Sequence, residues 1–181
     1  FTILAIMFYY KAYFIHEKYF YPAGIFLGLS ILSKISAIFP AFGILLFPII
    51  VKEKQHYLIN KKFYASLFIA FLIFTPFIYW NLQNDMAFVR YQGNHIMGEG
   101  SWLTFIELWI GILLLCGPVL FYYTVQLPIK YLIKIKSVSK DKIYFSLVTS
   151  IPLIYFLLHS FFSRMELNWP YPIFMGSIFL F

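Results

Sequence analysis

Charge is scarce in this sequence. Of its 181 residues only 12% are Asp, Glu, Lys or Arg, against about 25% in an ordinary soluble domain. Hydrophobic residues make up 62% and mean hydropathy is +0.80. So little polar surface excludes a water-soluble globule and leaves a polytopic membrane protein. Cysteine is nearly absent too. Cys116 alone cannot form an intramolecular disulfide, and its apolar surroundings give it a packing role. No Walker loop, GxGxxG, HExxH or GxSxG pattern occurs, which removes the P-loop, dinucleotide, zincin and nucleophile-elbow readings. No internal repeat is evident. The apolar runs also lack the regular series of charges that a proton pump or voltage sensor needs.

What is present is a succession of continuous apolar runs. Only helices or closed barrels satisfy their backbone in lipid, and unalternated runs select helices. The expected architecture is an all-α integral membrane protein, a polytopic helical bundle with spans at about 1–15, 21–33, 36–51, 63–80, 102–125, 143–162 and 171–181. The first and last are truncated. The chain opens and closes inside apolar runs, so the reading expects one part of a longer multi-span domain. Residues 21–51 form a 31-residue run holding one charge, Lys34. As a single helix it would reach about 46 Å, too long for a core of about 30 Å. A break at Lys34 is therefore expected.

The basic residues set the sidedness. Lys52, Lys54, Lys61 and Lys62 share one loop, and Lys130, Lys134, Lys136, Lys140 and Lys142 share another. Two spans separate the loops, and the positive-inside rule makes both cytoplasmic. The net charge of +7 thus points to a membrane and not to nucleic acid. The Lys34 turn, the loop 81–101 and the stretch 164–170 fall on the exoplasmic side. They carry Lys34, Asp85, Arg90, His95, Glu99, Arg164 and Glu166, edged by Trp80, Trp102 and Trp169.

These residue types suggest chemistry. An ammonium inside an apolar run costs a few kcal/mol. Lys34 either snorkels to the interface or binds an anion, where a phosphate would meet both its charge and a helix N-terminus. In "WNLQNDMAFVRYQGNHIMGEGSW" Arg90 can clamp an anion, Asp85 and Glu99 supply carboxylates, and His95 can carry a proton or ligate a metal. A helix over about 85–95 would set Met86, Val89 and Arg90 on one face. In "SRMELNWPYP" Glu166 and Asn168 are expected to face an exoplasmic cavity. Trp169 would pack at the interface and Pro170 would open the next helix.

Three segments in order, "GLSILSKISAIFP", "TPFIYWNLQNDMAFVRYQGNH" and "SRMELNWPYPIF", resemble the dolichyl-phosphate-mannose protein mannosyltransferase family of membrane glycosyltransferases. The bacterial branch near the lipid A aminoarabinose transferases and related lipopolysaccharide enzymes is the most similar. The resemblance implies a GT-C fold. It also implies inverting transfer of a sugar from a polyprenyl-phosphate carrier to a lipid, polysaccharide or protein acceptor. The setting would be the bacterial inner (plasma) membrane and cell envelope, with the site on the exoplasmic face. It implies Lys34 and His95 as carrier-phosphate contacts, which Arg90 would join as the anion clamp, Asp85, Glu166 and Asn168 as cavity residues, and a divalent metal near His95 as the cofactor. Departures occur at Met86 and Leu167, where the family pattern has tryptophan and proline. Gly98 stands where that branch has an arginine. The family's catalytic carboxylate would precede residue 1, so no general base is assigned. A transporter or flippase of a lipid-linked sugar is the alternative. It would share a basic cavity but also show broken helices in matched positions.

Overall fold

The computed structural model describes the backbone of residues 1–96 and 100–181 and the side chains of 1–93 and 100–181. The elements are helical throughout, and no strand occurs among the described residues. Among the described residues nine α-helices follow one another: α1 Thr2–Phe14, α2 Phe20–Ser33, α3 Ile38–Ile50, α4 Lys61–Gln83, α5 Ala87–Ile96, α6 Trp102–Cys116, α7 Pro118–Ile133, α8 Lys140–His159 and α9 Pro172–Ser177. Helices α4 and α8 are each long and apolar enough to cross a membrane. Two sharply bent pairs, α3 with the 3-10 segment Lys52–Ile59 and α6 with α7, reach that length together. The chain is an integral membrane protein.

Helix α2 packs chiefly on α4, and small residues make this close contact possible. Gly24 lies against the Ser66 backbone and Gly28 against Ala70, so the pattern Gly-x-x-x-Gly meets Ser-x-x-x-Ala. Small faces of this kind let membrane helices approach until their backbones touch. The buried hydroxyl of Ser66 is held by Tyr9 Oη at 2.8 Å, which ties α1 to the same seam. Helix α3 instead packs antiparallel on α8. Phe39 stacks on Tyr155 at 3.8 Å, Gly43 touches Leu147 and Val148, and Phe47 meets the Tyr144 ring at 5.2 Å.

Basic residues gather at one end of the bundle. There Lys62 pairs with Glu17 at 3.2 Å and Lys140 with Glu53 at 3.0 Å. Lys54 donates to the carbonyl of Tyr13, which lies in the last turn of α1. Of the 14 lysines and arginines, only Lys34, Arg90 and Arg164 lie toward the other end.

The break at Lys34 is the tip of a hairpin. Helix α2 runs up to Ser33, Lys34 is extended, and a 3-10 turn Ile35–Ala37 leads back into α3. The register Gly24–Ser66 and Gly28–Ala70, continued, sets Lys34 level with Pro76. Helix α4 runs on to Gln83, seven residues or about 10 Å farther. The hairpin therefore stops short of its neighbour, and a recess results.

Two local details differ from the sequence expectation. The run 102–125 is not one helix, because Gly117 adopts φ 78° and Pro118 begins α7, with a bend of 109° between α6 and α7. Glycine permits that φ without strain and proline suits a first helical turn. The expected helix over 85–95 begins only at Ala87. Asp85 and Met86 have φ of 51° and 57°, so Met86 is not on a helix face with Val89 and Arg90.

Candidate functional site: a lysine ammonium in an apolar recess

The recess above the hairpin is a cavity of about 670 Å³. Its walls come from the hairpin tip, the upper part of α4, the face of α5, the end of α8 and the turn before α9. Apolar and aromatic side chains dominate, among them Ile31, Ile38, Phe39, Phe74, Phe77 and Phe88. Polar groups at its wall come from Ser33, Lys34, Ser36, Tyr91, Gln92, Tyr155, His159, Glu166 and Trp169. Among the described lining residues Lys34 is the one cation and Glu166 the one carboxylate.

Helix α5 becomes a wall because Asn81 turns the chain. Its backbone carbonyl accepts from Met86 N–H at 2.9 Å, and its side-chain oxygen accepts from Phe88 N–H at 3.0 Å. The second bond satisfies one of the amides that a helix start leaves open. Phe88 then closes edge-on against Phe77, with centroids 5.0 Å apart. The asparagine that follows Trp80 is thus a folding element of the site.

Lys34 sits where two attractions for an anion coincide. It is the residue before the helical segment Ile35–Ile50, and no side chain caps that start. Its backbone is extended, as at an N-cap. The free amides and the dipole of this N-terminus favour negative charge beside the ammonium. Lys34 Nζ donates to the backbone carbonyl of Asn168 at 2.8 Å and to Asn168 Oδ1 at 3.3 Å. Asn168 Nδ2 in turn donates to Glu166 Oε2 at 3.1 Å. Desolvation holds the ammonium below its ordinary pKa, and the nearby Glu166 charge acts in the opposite direction.

The structure therefore brings Lys34 together with Glu166 and Asn168, which lie more than 130 residues farther along the chain. Asp85 and Arg90 are exposed and do not line the cavity. The His95 side chain and Glu99 lie outside the described residues. No group of three His, Cys, Asp or Glu side chains able to hold a metal occurs among the described residues. Trp169 lines the cavity and packs on the cluster of Leu108, Ile112, Phe156 and Ile173, a more interior place than an interfacial anchor. Residues 167–171 form turns, and Pro172 rather than Pro170 opens α9. Sequence reading passed over His159, Tyr91, Gln92 and Tyr155. For His159 a signal existed: it is the one titratable imidazole in the mostly apolar run 143–162.

Such a recess suits an amphiphile with a hydrocarbon tail and an anionic head. Residues 1–80 match the family model described as dolichyl-phosphate-mannose-protein mannosyltransferase. No curated protein and no solved structure matches the chain. The matched part contains the hairpin and Lys34 and ends at Trp80. It supports the family-level resemblance and a membrane glycosyltransferase of the GT-C type.

Proposed function

We propose that this chain, whose first 80 residues match the dolichyl-phosphate-mannose-protein mannosyltransferase family, carries the donor side of a glycosyltransferase that uses a polyprenyl-phosphate sugar. The observation that supports the reading most is the position of Lys34, the one cation among the described lining residues, at a helix start inside a recess lined mainly by apolar and aromatic side chains. The aromatic and aliphatic wall would take the first isoprene units. The ammonium and the open amides of residues 35 and 36 would take the phosphate. Charge-assisted hydrogen bonds of this type contribute about 1.5–3 kcal/mol each.

In transfer, the bond from the sugar's anomeric carbon to the phosphate oxygen breaks as the acceptor hydroxyl attacks from the opposite face. Negative charge grows on the departing phosphate, where Lys34 stabilises it. The acceptor's proton goes to a carboxylate. The Asn168 contacts to Lys34 give way to phosphate oxygens, and the turn 166–168 is then free to meet the sugar. The basic end of the bundle faces the cytoplasm and the cavity faces the exoplasmic side, in keeping with the lysine distribution. The acceptor is a lipid or a glycan of the cell envelope.

The test is Lys34→Met in the full-length protein, with sugar transfer from a polyprenyl-phosphate donor measured in membrane vesicles. A fall of roughly 100-fold or more at equal protein level is expected from losing two charge-assisted contacts. Wild-type transfer would overturn the assignment. Movement of the intact donor across the vesicle membrane, without bond cleavage, would favour a flippase instead.

A further inference from the structure

Among the described residues, three buried side-chain polar atoms have no hydrogen-bond partner: Ser36 Oγ, Ser146 Oγ and His159 Nε2. Buried polar groups are nearly always bonded, so each exception needs a reason. Two of the three belong to residues that line the one cavity described above. His159 is 8% exposed, so bulk water does not explain its free nitrogen.

The packing of α3 on α8 places the two residues opposite each other. Phe39 meets Tyr155 and Phe156, with centroids 3.8 and 5.5 Å apart, and the helices are antiparallel. Ser36 is about one turn before Phe39, and His159 is about one turn after Tyr155. Both therefore lie one turn nearer the cavity mouth, at the same level. They do not bond to each other. Lys34 is two residues from Ser36, at the same hairpin tip. The His159 ring stacks on Tyr155 at 5.3 Å and 28°, and Tyr155 stacks in turn on Phe39, so the imidazole is held in place.

We propose that Ser36 and His159 are a second pair of phosphate contacts, the hydroxyl and the imidazole N–H each donating to oxygens of the phosphate that Lys34 attracts. The inference rests on the reading of this cavity as a polyprenyl-phosphate site. The phosphodiester of a polyprenyl-phosphate sugar offers two free oxygens, each able to accept more than one hydrogen bond, and the monophosphate that departs offers three, enough to satisfy both donors and the ammonium together. A hydroxyl and a neutral imidazole add hydrogen bonds without adding charge. They can hold the phosphate without the cost of a second buried cation. A purely structural His159 has a different signature. Its stacking on Tyr155 would be reproduced by phenylalanine, which also removes the unbonded nitrogen.

The experiment uses the full-length protein in lipid nanodiscs, with farnesyl phosphate as the probe and farnesol as its uncharged control. His159→Phe is expected to lower farnesyl phosphate affinity roughly 10- to 100-fold. Farnesol binding should stay unchanged, and the thermal midpoint should equal or exceed that of the wild type. His159→Gln, which restores an N–H near the same place, should regain most of the affinity. Ser36→Ala should weaken farnesyl phosphate alone, and it decides the matter by itself if His159→Phe does not fold. Lys34→Met separates the two levels of the argument. If Lys34→Met loses the probe while His159→Phe and Ser36→Ala bind it as the wild type does, the second contact pair is refuted and the phosphate cavity stands. If Lys34→Met also binds normally, both fall. Equal loss of farnesol and farnesyl phosphate in His159→Phe would show a packing role and refute the proposal.

Discussion

Replacing Gly24 by alanine would force apart the two helices that set the depth of the cavity. A Cβ at position 24 would lie 2.3 Å from the Ser66 carbonyl oxygen, 2.7 Å from its Cα and 2.8 Å from its carbonyl carbon. All three atoms are backbone, so no side chain can swing aside. Ordinary van der Waals contact begins at 3.4 Å, which requires α2 and α4 to separate by about 1.1 Å at this level. Overpacking of this kind costs about 1–3 kcal/mol. The bond from Tyr9 Oη to Ser66 Oγ, 2.8 Å long and fully buried, sits at the same seam and would be strained with it. In an unobstructed helix the same change would gain about 1 kcal/mol of helix propensity. Gly93 provides that comparison, since a Cβ there would meet nothing within 4 Å. Cys116 is the sole thiol and is only partly exposed, so its reaction with a maleimide dye can follow thermal unfolding in detergent. Gly24→Ala should lower the midpoint by about 2–12 °C, using 2–4 °C per kcal/mol for a chain of this size. Gly93→Ala should not lower it. Equal midpoints for the two variants would refute the close approach of α2 and α4.

Other expectations are simpler to state. With Cys116 replaced by serine, single cysteines at position 58 or 138 should resist an impermeant thiol reagent in whole cells, and a cysteine at position 167 should react. Labelling in the reverse pattern would invert the proposed sidedness. Glu17 accepts hydrogen bonds from Asn60 and Lys62, which hold its carboxyl below the ordinary range. Its folded pKa is depressed, so its contribution is complete above the unfolded value of about 4.5 and disappears as pH falls through the folded one. Wild type should therefore be more stable than Glu17→Gln at pH 7, with the difference vanishing in acid. A difference that does not change with pH would contradict this account of the contact.

Much of the helical framework is legible in the sequence because lipid leaves few alternatives. The charge in the middle of the run 21–51 marks the hairpin tip, since one helix of that length would overshoot the bilayer. The meeting of Lys34 with Glu166 and Asn168 follows from three polar segments sharing one end of the bundle. Other features need tertiary information. That Asp85 and Arg90 turn outward depends on two left-handed residues after α4, and neither Asp nor Met at those positions announces them. The division at Gly117–Pro118 is written in the chain, yet a continuous apolar run masks it. The Gly24–Gly28 spacing is also visible, but only its match with Ser66 and Ala70 gives it meaning. His159 acquires significance only when α3 is seen to lie against α8, because one histidine in a helix tells nothing of what faces it.

Photo-crosslinking tests the central claim most directly. A polyprenyl phosphate with a photoreactive group in its first isoprene units would be bound to the full-length protein in membranes, irradiated, and its attachment sites mapped by peptide sequencing. The account predicts labels in residues 31–39, 74–93 and 155–169, abolished by excess unlabelled polyprenyl phosphate and absent in Lys34→Met. Labels confined instead to the apolar groove of Leu113, Phe121, Val125 and Ile129, or to the lysine-rich end, with no dependence on Lys34, would contradict it.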